Sequence, residues 1–305
     1  MSRAVRHDSF GGVEVLEVRD VPEPHAGPGE VRVRVGAVGL NAMDPWLVGD
    51  AGMAGAFGLS LPGGFAADLA GVVDEVGEGA VGFAVGDRVF GGVIGRSTDE
   101  YVVLPVGSRL WHTPDGVSDA EAAALPVAGA TAAASVEAVA PGPGDTVLVT
   151  AAAGGVGVFA AQLAADRGAR VIGTASPATS DFLRGLGVDP VAYGEGLEGR
   201  IREIAPGGVD AVIDAFSADT AIAAVAWGVA PERITTVLPG RDLPAGVHQR
   251  GATDARPEAL DELAAAIAAG RIRVPIARRF PLAEVREAAA LQLARHVHGK
   301  IVLEL

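Results

Sequence analysis

A short glycine-rich turn gives the first indication of chemistry in this sequence. It reads Ala151-x-x-Gly154-x-x-Gly157, and its candidate binding residues are Ala153, Gly154, Gly155, Val156 and Gly157. A glycine within such a turn lets the backbone approach a pyrophosphate, and a glycine at its end lets a helix pack closely on a strand. Free N–H groups at the start of that helix bind the phosphate. The turn therefore predicts a dinucleotide site.

The segments on both sides of the turn support this prediction. Residues 146–150 form a short β-branched and apolar run that predicts a buried strand, and residues 158–165 are good helix formers. A glycine-rich turn without a ligand remains an alternative. A membrane span needs about 20 apolar residues, but glycines and the polar Thr150 and Gln162 interrupt this segment. We therefore exclude a span here.

A second determinant of the cofactor follows the next predicted strand, at residues 170–174. The turn after it contains Thr174, Ser176 and Thr179, and the first acidic residue is Asp181, which we place inside the following helix. An acidic side chain at the end of this strand binds the ribose 2′-hydroxyl of NAD. Its absence, together with the hydroxyl groups, favours NADPH. The alternative is that Ser176 only caps the next helix.

Composition limits the classes of function. The chain has 305 residues, 49% of them hydrophobic, which suggests about two domains with sizeable cores. Its net charge of 24 − 38 = −14 disfavours nucleic acid or an anionic membrane as a partner. The chain contains no cysteine, so disulfides and thiolate metal sites are excluded. Its first residues lack an apolar signal segment, and we expect a cytoplasmic protein.

The pattern along the chain predicts an α/β protein with two domains. The first hundred residues are rich in short strand signals, whereas strands and helices alternate after the capping-box pattern Ser118-x-x-Glu121. We predict strands at 31–35, 68–76, 87–93, 100–104, 146–150, 170–174, 210–214, 234–238, 273–280 and 300–305, and helices at 257–269 and 282–295. The predicted domains are 1–117 with 273–305, and 118–272, the latter a Rossmann doubly wound parallel sheet.

Several ordered motifs resemble those of one family. They are LNAMD at 40–44, FAADLAGVV at 65–73, GDRVF at 86–90, AAALPVAGAT at 122–131, AAGGVG at 152–157, AQLA at 161–164 and GKIVL at 299–303. In this order and spacing the chain resembles the zinc-independent medium-chain dehydrogenase/reductases, in their quinone oxidoreductase and enone reductase branch. The resemblance implies a GroES-like β-rich catalytic domain that holds the substrate and a Rossmann domain that holds NADPH.

The resemblance also implies chemistry without a metal. Zinc-dependent relatives place a cysteine where Asn41 stands and a Gly-His-Glu triplet where Ala66, Ala67 and Asp68 stand. A zinc site needs three or four suitable ligands, which are not available at these positions. The six histidines do not form a ligand pattern either, and His296 and His298 are two residues apart.

Four residues are the candidates for the catalytic site. The resemblance raises the expectation that Asn41 orients the nicotinamide ribose or the substrate carbonyl, although it could simply end the preceding strand. Trp46 could line the substrate pocket or only pack in the core. Thr131 could contact the nicotinamide or be an ordinary polar helix residue. Asp44, like Asp68, is expected to fix loop geometry rather than to transfer protons.

The resemblance adds Tyr193, Leu238 and Lys300 to the candidate cofactor-binding residues Thr174, Ser176 and Thr179. Tyr193 matches a tyrosine that helps to bind the adenosine phosphate in some relatives. Lys300 could lie near the cofactor or be a solvated surface residue. Two departures are noted: the run after Asp44 lacks the basic residue that relatives often carry, and the turn near Thr179 lacks their lysine.

These observations predict an NADPH-dependent oxidoreductase that transfers a hydride to a small-molecule quinone or α,β-unsaturated carbonyl. An enoyl-thioester reductase or a tailoring reductase of secondary metabolism is an alternative, and it would need a basic patch for its carrier. A non-catalytic NADPH-binding redox sensor is an alternative from another class. The resemblance further implies a homodimer.

Overall fold

The protein is described from a computed structural model, which covers residues 1–238, 242–295 and 297–305. His296 of the sequence pattern lies outside these residues. Within the ranges given, no helix has the length and apolar character that crossing a bilayer requires.

Strands and helices are numbered here in chain order. The strands are β1 Ser2–Arg6, β2 Glu17–Val21, β3 Glu30–Leu40, β4 Asp68–Val76, β5 Arg88–Gly91, β6 Tyr101–Pro105, β7 Leu110–His112, β8 Thr146–Val149, β9 Arg170–Ala175, β10 Asp189–Ala192, β11 Ala211–Asp214, β12 Ile234–Thr236, β13 His248–Gln249, β14 Ile276–Pro281 and β15 Lys300–Glu304. The helices are α1 Met43–Gly49, α2 Ala51–Ala56, α3 Asp119–Ala122, α4 Ala128–Val139, α5 Gly157–Asp166, α6 Ser180–Arg184, α7 Leu197–Ile204, α8 Asp219–Ala226, α9 Ala259–Ala268 and α10 Val285–Ala294.

The chain divides into two compact units, Met1–Val127 with Val274–Leu305, and Ala128–Arg273. The sequence placed residues 118–127 with the second unit. In the structure they pack in the first, because helix α3 lies on β3 and β4 and Asp119 accepts a 2.5 Å hydrogen bond from Arg88 of β5. Ser118 and Glu121 form the predicted capping box at the start of that helix.

The second unit contains a parallel sheet with the order β10-β9-β8-β11-β12-β13. Numbered within the unit, this order is 3-2-1-4-5-6, the arrangement of a Rossmann fold. The central strand β8 is short, and Val147, Leu148 and Val149 are fully buried, as expected for a strand covered on both faces. The strand predictions at 146–150, 170–174 and 210–214 agree with the structure to within a residue at each end.

The first unit is built on a seven-stranded sheet. Its order is β14-β15-β3-β4-β5-β7, and β6 pairs with β3 beyond this path. The last strand, β15, runs antiparallel to β3, so the end of the chain returns to the N-terminal sheet as the sequence indicated. The sheet and helix α10 share one apolar core. The GroES-like and Rossmann-like α/β architecture predicted from the sequence is confirmed.

In residues 31–35 valines alternate with Arg32 and Arg34, a pattern that predicts one buried and one solvated face of a strand, and one side chain of β3 departs from it. Val31, Val33 and Val35 are buried as expected, and Arg34 is exposed. Arg32, however, is only 9% exposed. Its guanidinium donates to both carboxylate oxygens of Asp74 at 3.0 Å. Because pairing satisfies the buried cation, an arginine is accommodated where the pattern predicted a solvated face.

Candidate functional site

The glycine turn connects β8 to α5 at the carboxyl edge of the parallel sheet. Gly154, Gly155 and Val156 are half-buried, whereas Gly157 is buried at the start of the helix. The N–H of Gly154 donates to Ala151 O at 2.8 Å, but those of Gly155 and Val156 find no acceptor among the residues that the structure describes. Unsatisfied N–H groups at a helix start form an anion-binding site.

Two residues keep the turn tight. A Cβ added to Gly157 would lie 2.2 Å from Ala151 O, so a larger residue cannot enter without moving the backbone. Ala151 adopts a left-handed conformation with φ of 46°, which costs a non-glycine residue about 1–2 kcal/mol. The buried Thr174 compensates, because its hydroxyl accepts a hydrogen bond from Ala151 N at 3.0 Å. Thr174 therefore supports the turn from the neighbouring strand β9.

The turn after β9 contains the remaining predicted hydroxyls. Ser176 Oγ lies 3.1 Å from Thr179 Oγ1, and the buried Thr179 donates its hydroxyl to Ser176 O at 2.7 Å. Ser176 occupies the N-cap position of a short 3-10 turn with Pro177 next, but its side chain makes no cap hydrogen bond. The capping alternative is therefore not the role of the Ser176 hydroxyl, which stays half-buried at the sheet edge. Asp181 lies inside α6, as predicted.

Tyr193 belongs to the adjacent strand end. Strand β10 pairs with β9 so that Ala192 stands opposite Ala175, which brings Tyr193 and Ser176 to the same edge. Tyr193 is 65% exposed. Arg200 of α7 fixes its loop by donating to the carbonyl groups of Ala192, Tyr193, Gly194 and Glu195. The sequence did not single out Arg200, because a guanidinium bound to carbonyl groups leaves no local pattern.

The remaining candidate residues of the second unit lie beside the parallel sheet or in helix α4. Leu238 follows β12, and its N–H donates to Thr236 Oγ1 at 3.3 Å. Thr131 is buried in α4. Asp214, at the end of β11, accepts hydrogen bonds on both carboxylate oxygens: from the Thr150 hydroxyl at 2.6 Å and from backbone N–H groups of the following loop and α8. It is a fully satisfied structural residue.

The first unit brings together a buried polar cluster of Asn41, Asp44, Asp68 and Lys300. Lys300 Nζ donates to Asn41 Oδ1 at 2.6 Å and to Leu40 O at 2.7 Å. Asn41 Nδ2 donates to Asp68 Oδ2 at 2.9 Å, and Asn41 N donates to Asp44 Oδ2 at 2.7 Å. These bonds fix which end of the amide carries oxygen. The second N–H of Asn41 Nδ2 has no acceptor among the described residues.

Lys300 is only 2% exposed, so it is not a surface lysine. The sequence separated it from Asn41 by 259 residues, and only the pairing of β15 with β3 brings the two together. Burial lowers the pKa of Lys300, and the charges of Asp68 and Asp44 oppose this change. Lys300 thus holds the amide of Asn41 from behind.

The two carboxyl groups are incompletely satisfied. Burial raises the pKa of Asp68 to about 6, against the opposing effects of Lys300 and Asn41. Burial also raises the pKa of Asp44 to about 8, and the nearby charge of Asp68 adds to this, whereas the Asn41 N–H and Lys300 oppose it. Oδ1 of each residue has no hydrogen-bond partner among the described residues. Buried carboxyl oxygens without a partner are uncommon in folded proteins and need a specific explanation.

Trp46 extends from the same short helix as Asp44. It is half-buried, and the guanidinium carbon of Arg295 lies 4.8 Å from its ring centre. Arg295 ends helix α10 in a left-handed conformation. Arg295 therefore places a cation beside Trp46, although the residues next to Trp46 in the sequence include no basic side chain. The distance between the two residues in the sequence gave no indication of this contact.

A cavity of about 320 Å³ lies within this unit, bordered by Asp44 and the α1–α2 region. Its wall includes the apolar Phe10, Leu47 and Phe65, together with His7 and Arg96. A cavity of similar volume in the second unit is bordered by Asp210 and Trp227. That cavity lies at the amino end of β11, opposite the glycine turn, and we assign it no role in nucleotide binding.

The polar cluster does not fit a zinc ion. A buried ammonium, Lys300 Nζ, already lies against Asn41, at the position where zinc-dependent relatives carry a ligand. Within the described parts of the chain, no group of three or more His, Cys, Asp or Glu residues is arranged to hold a metal.

The sequence matches family models in both units. Residues 27–115 match the alcohol dehydrogenase GroES-like domain, and residues 186–303 match a domain described as zinc-binding dehydrogenase. The chain is 34% identical to a quinone oxidoreductase of Pseudomonas aeruginosa, with 99% of each chain covered. It is also 37% identical, over 97% of its length, to 14% of the spectinabilin polyketide synthase system protein NorB of Streptomyces orinoci.

Solved structures show the same similarity over the whole chain. The quinone oxidoreductase of Coxiella burnetii superposes with a TM-score of 0.87 at 28% identity, covering 100% of this chain and 99% of that one. Mycobacterial Rv1454c, solved in complex with NADPH, has a TM-score of 0.84 at 29% identity, with 100% of both chains covered. The chain is therefore an oxidoreductase that belongs to the medium-chain dehydrogenase/reductase family, in its quinone oxidoreductase branch.

Proposed function

We propose that this oxidoreductase reduces a quinone or an α,β-unsaturated carbonyl compound with NADPH and without a metal ion. The observation that carries the proposal is the carboxyl edge of the parallel sheet at β8 and β9, where the turn after β9 has no acidic side chain. There, the free N–H groups of Gly155 and Val156 lie in the turn that Thr174 supports from β9, the strand that leads to Ser176. The free N–H groups of the glycine turn fit a pyrophosphate, and the turn at Ser176, which has no acidic side chain, fits a 2′-phosphate.

The residues of this edge would hold the cofactor in separate parts. Gly155, Val156 and the start of α5 receive the pyrophosphate, and Ser176 with Tyr193 receives the adenosine 2′-phosphate. Arg200 keeps the Tyr193 loop in place through its four carbonyl contacts. When bound, NADPH supplies the hydride, and the protein contributes orientation and electrostatics. The complex of Rv1454c with NADPH supports this choice.

The polar cluster of the first unit contains groups that can act on the substrate that accepts the hydride. Asn41 retains one N–H after its bond to Asp68, and this donor can stabilise the negative charge that develops on a carbonyl oxygen. Lys300 and Asp68 act as positioning residues because they fix both ends of the amide. Trp46 would line the approach to this group. The names of the relatives from Pseudomonas and Coxiella support a quinone as acceptor.

An enoyl-thioester reductase is the second candidate. The similarity to a segment of the polyketide synthase system protein NorB favours it. The net charge of −14 disfavours docking of an anionic carrier or coenzyme A. Turnover of enoyl-thioesters in preference to quinones and simple enones would select this candidate.

The direct test is NADPH oxidation by the purified protein with a panel of quinones, enones and enoyl-thioesters. We expect turnover with quinones or enones. Tight NADPH binding without turnover on any acceptor would instead support a non-catalytic redox sensor. Titration with NADPH and NADH tests the cofactor, and we expect tighter NADPH binding; tighter NADH binding would overturn this part.

The variant S176D tests the proposed 2′-phosphate position. An acid there repels the phosphate and offers an acceptor to a ribose 2′-hydroxyl. We expect NADPH affinity to fall at least about tenfold, equivalent to about 1.4 kcal/mol, while NADH affinity is unchanged or improves. S180D, one turn further along at the start of α6, is the control and should not change the preference.

We further propose a cytoplasmic homodimer that forms through an edge of the parallel sheet, where β10 and β13 are the outer strands. Sedimentation of the purified protein tests the assembly. Twice the monomer mass of 30.6 kDa is expected, and a monomer at micromolar concentration would contradict it.

A further inference from the structure

The buried cluster of the first unit contains two carboxyl groups and one ammonium group, and the guanidinium of Arg109 lies near Asp68 rather than Asp44. Lys300 is connected to Asp68 through the amide of Asn41, which accepts from Lys300 and donates to Asp68. Asp68 Oδ2 also accepts from Val127 N at 3.3 Å. Asp44 receives a single N–H, from Asn41. A buried charge without compensation is costly, and Asp44 has fewer hydrogen-bond donors and fewer nearby cations than Asp68, so Asp44 is the carboxyl group that keeps its proton.

An un-ionised carboxyl group carries an O–H donor. Oδ2 of Asp44 accepts the Asn41 N–H at 2.7 Å, so the proton belongs on Oδ1. That atom is buried and has no acceptor in the part of the chain that the structure describes. Asp44 also borders the cavity of about 320 Å³. This O–H donor has no acceptor in the described chain, and its residue borders a cavity. It can therefore donate its proton to an oxygen or carbon atom of a bound ligand.

We propose that Asp44 is the proton donor for an acceptor bound in this cavity. The inference rests on the proposed function. Once a hydride has reached the β-carbon of an enone, the electron pair of the double bond is left on the enolate. The Oδ1–H bond of Asp44 then breaks, and its proton forms the new C–H bond at the α-carbon or the O–H bond of a hydroquinone. Water returns a proton to the carboxylate.

The other charged groups around Asp44 do not take this role. Lys300 donates N–H groups to Asn41 and Leu40. Asp68 accepts a hydrogen bond from the side-chain amide of Asn41 and lies near Arg109. At the cavity, His7 Nδ1 lies 3.0 Å from Ser9 O, so the neutral ring donates to that carbonyl and its Nε2 is an acceptor rather than a donor. Arg96 is paired with Asp99 at 3.5 Å. A guanidinium does not release a proton near neutral pH. The negative charge of Asp68 favours the un-ionised form of Asp44.

The test compares D44N with D68N in the full-length protein. An amide at position 44 keeps the acceptor for Asn41 N–H but has no transferable proton. We expect kcat for an enone to fall about 100-fold or more in D44N, with NADPH affinity changed less than twofold. The wild-type rate should decrease as pH rises through about 8, where Asp44 loses its proton. D68N should be slower but keep this decrease, and D44N should lose it.

A second readout does not depend on catalysis. Infrared spectra of the cofactor-free protein at neutral pH should show the C=O stretch of an un-ionised carboxylic acid, absent from D44N and present in D68N. Absence of this band from the wild type, or wild-type kcat and pH profile in D44N, would overturn the inference alone. Failure of the wild type to turn over any acceptor would instead overturn the proposed function together with this role.

Discussion

Buried aspartates of the two units have opposite surroundings. Asp214, at the end of β11, accepts four hydrogen bonds from Thr150, the following loop and α8, and neither oxygen is left without a partner. Asp44 in the first unit receives one backbone N–H and leaves Oδ1 without a partner in the described chain. Both residues are almost completely buried.

The difference distinguishes an aspartate with a structural role from one that can take part in a reaction. Asp214 is part of the frame that holds a sheet edge in one conformation. Asp44 and its neighbours Asn41 and Asp68 retain unused donors or acceptors, and groups of this kind need a specific explanation in a folded protein. Burial of an aspartate alone therefore does not indicate a function. Whether its second carboxyl oxygen has a hydrogen-bond partner is the informative observation.

The largest effect on stability is expected at Asp214. In D214N an amide N–H faces a backbone N–H that the carboxylate accepted, so we expect a loss of about 3 kcal/mol in the free energy of unfolding. In D44N no such loss is expected at neutral pH, because the folded wild type must keep a proton that its unfolded state releases, a cost that the amide does not carry. Urea unfolding at neutral pH measures both, and equal losses would remove the distinction between the two sites.

The glycine turn should respond next. In G157A the new Cβ lies 2.2 Å from Ala151 O, and overpacking of this kind costs about 1–3 kcal/mol. Nucleotide affinity should fall as well, since the N–H groups of the turn move. G199A in α7 is the matched control, because nothing lies within 4 Å of its added Cβ. Unchanged NADPH binding in G157A would contradict the assignment of this turn.

The pH dependence of stability should distinguish Asp44 directly. Its pKa is raised from 3.8 to about 8 on folding, so the folded state binds more protons than the unfolded state in this range. The stabilising contribution is fully present below about pH 4 and is lost as pH rises through 8, by at most about 1.4 kcal/mol per pH unit. The difference in unfolding free energy between the wild type and D44N should decrease accordingly. A difference independent of pH would show that Asp44 is ionised throughout.

The smallest effect is expected at the cation beside Trp46. Removing the guanidinium in R295A costs about 0.5–1 kcal/mol. R278A is a control, since Arg278 of strand β14 makes a comparable contact with a different ring, 5.0 Å from the centre of Phe280. If Arg295 helps to shape the substrate approach, R295A alone should change KM for the acceptor. An equal effect on KM in R278A would contradict that role.

Sequence patterns predicted the frame better than the cluster. The glycine turn, the strand before it and the capping box at Ser118 are local features, and each is present where it was predicted. The family motifs also drew attention to Asn41 and Asp44. The role expected of Asp44, fixing a loop, covers only its Oδ2 contact with Asn41 N.

Long-range pairing explains what local patterns missed. Lys300 is 259 residues from Asn41, and its burial follows from the position of β15 beside β3. Arg200 and Arg295 act on Tyr193 and Trp46 through the packing of helices, and neither has a motif of its own. Side-chain partners of this kind depend on tertiary structure, so sequence spacing alone could not provide them.

Carbon-13 NMR titration of protein labelled at the aspartate carboxyl carbons tests the central claim most directly. We predict one resonance, absent from D44N, whose chemical shift changes around pH 8. Such a signal would show that Asp44 is an un-ionised acid at neutral pH. If the resonance lost in D44N instead titrates near the ordinary aspartate value of 3.8, Asp44 is a carboxylate and the account of the cluster is wrong.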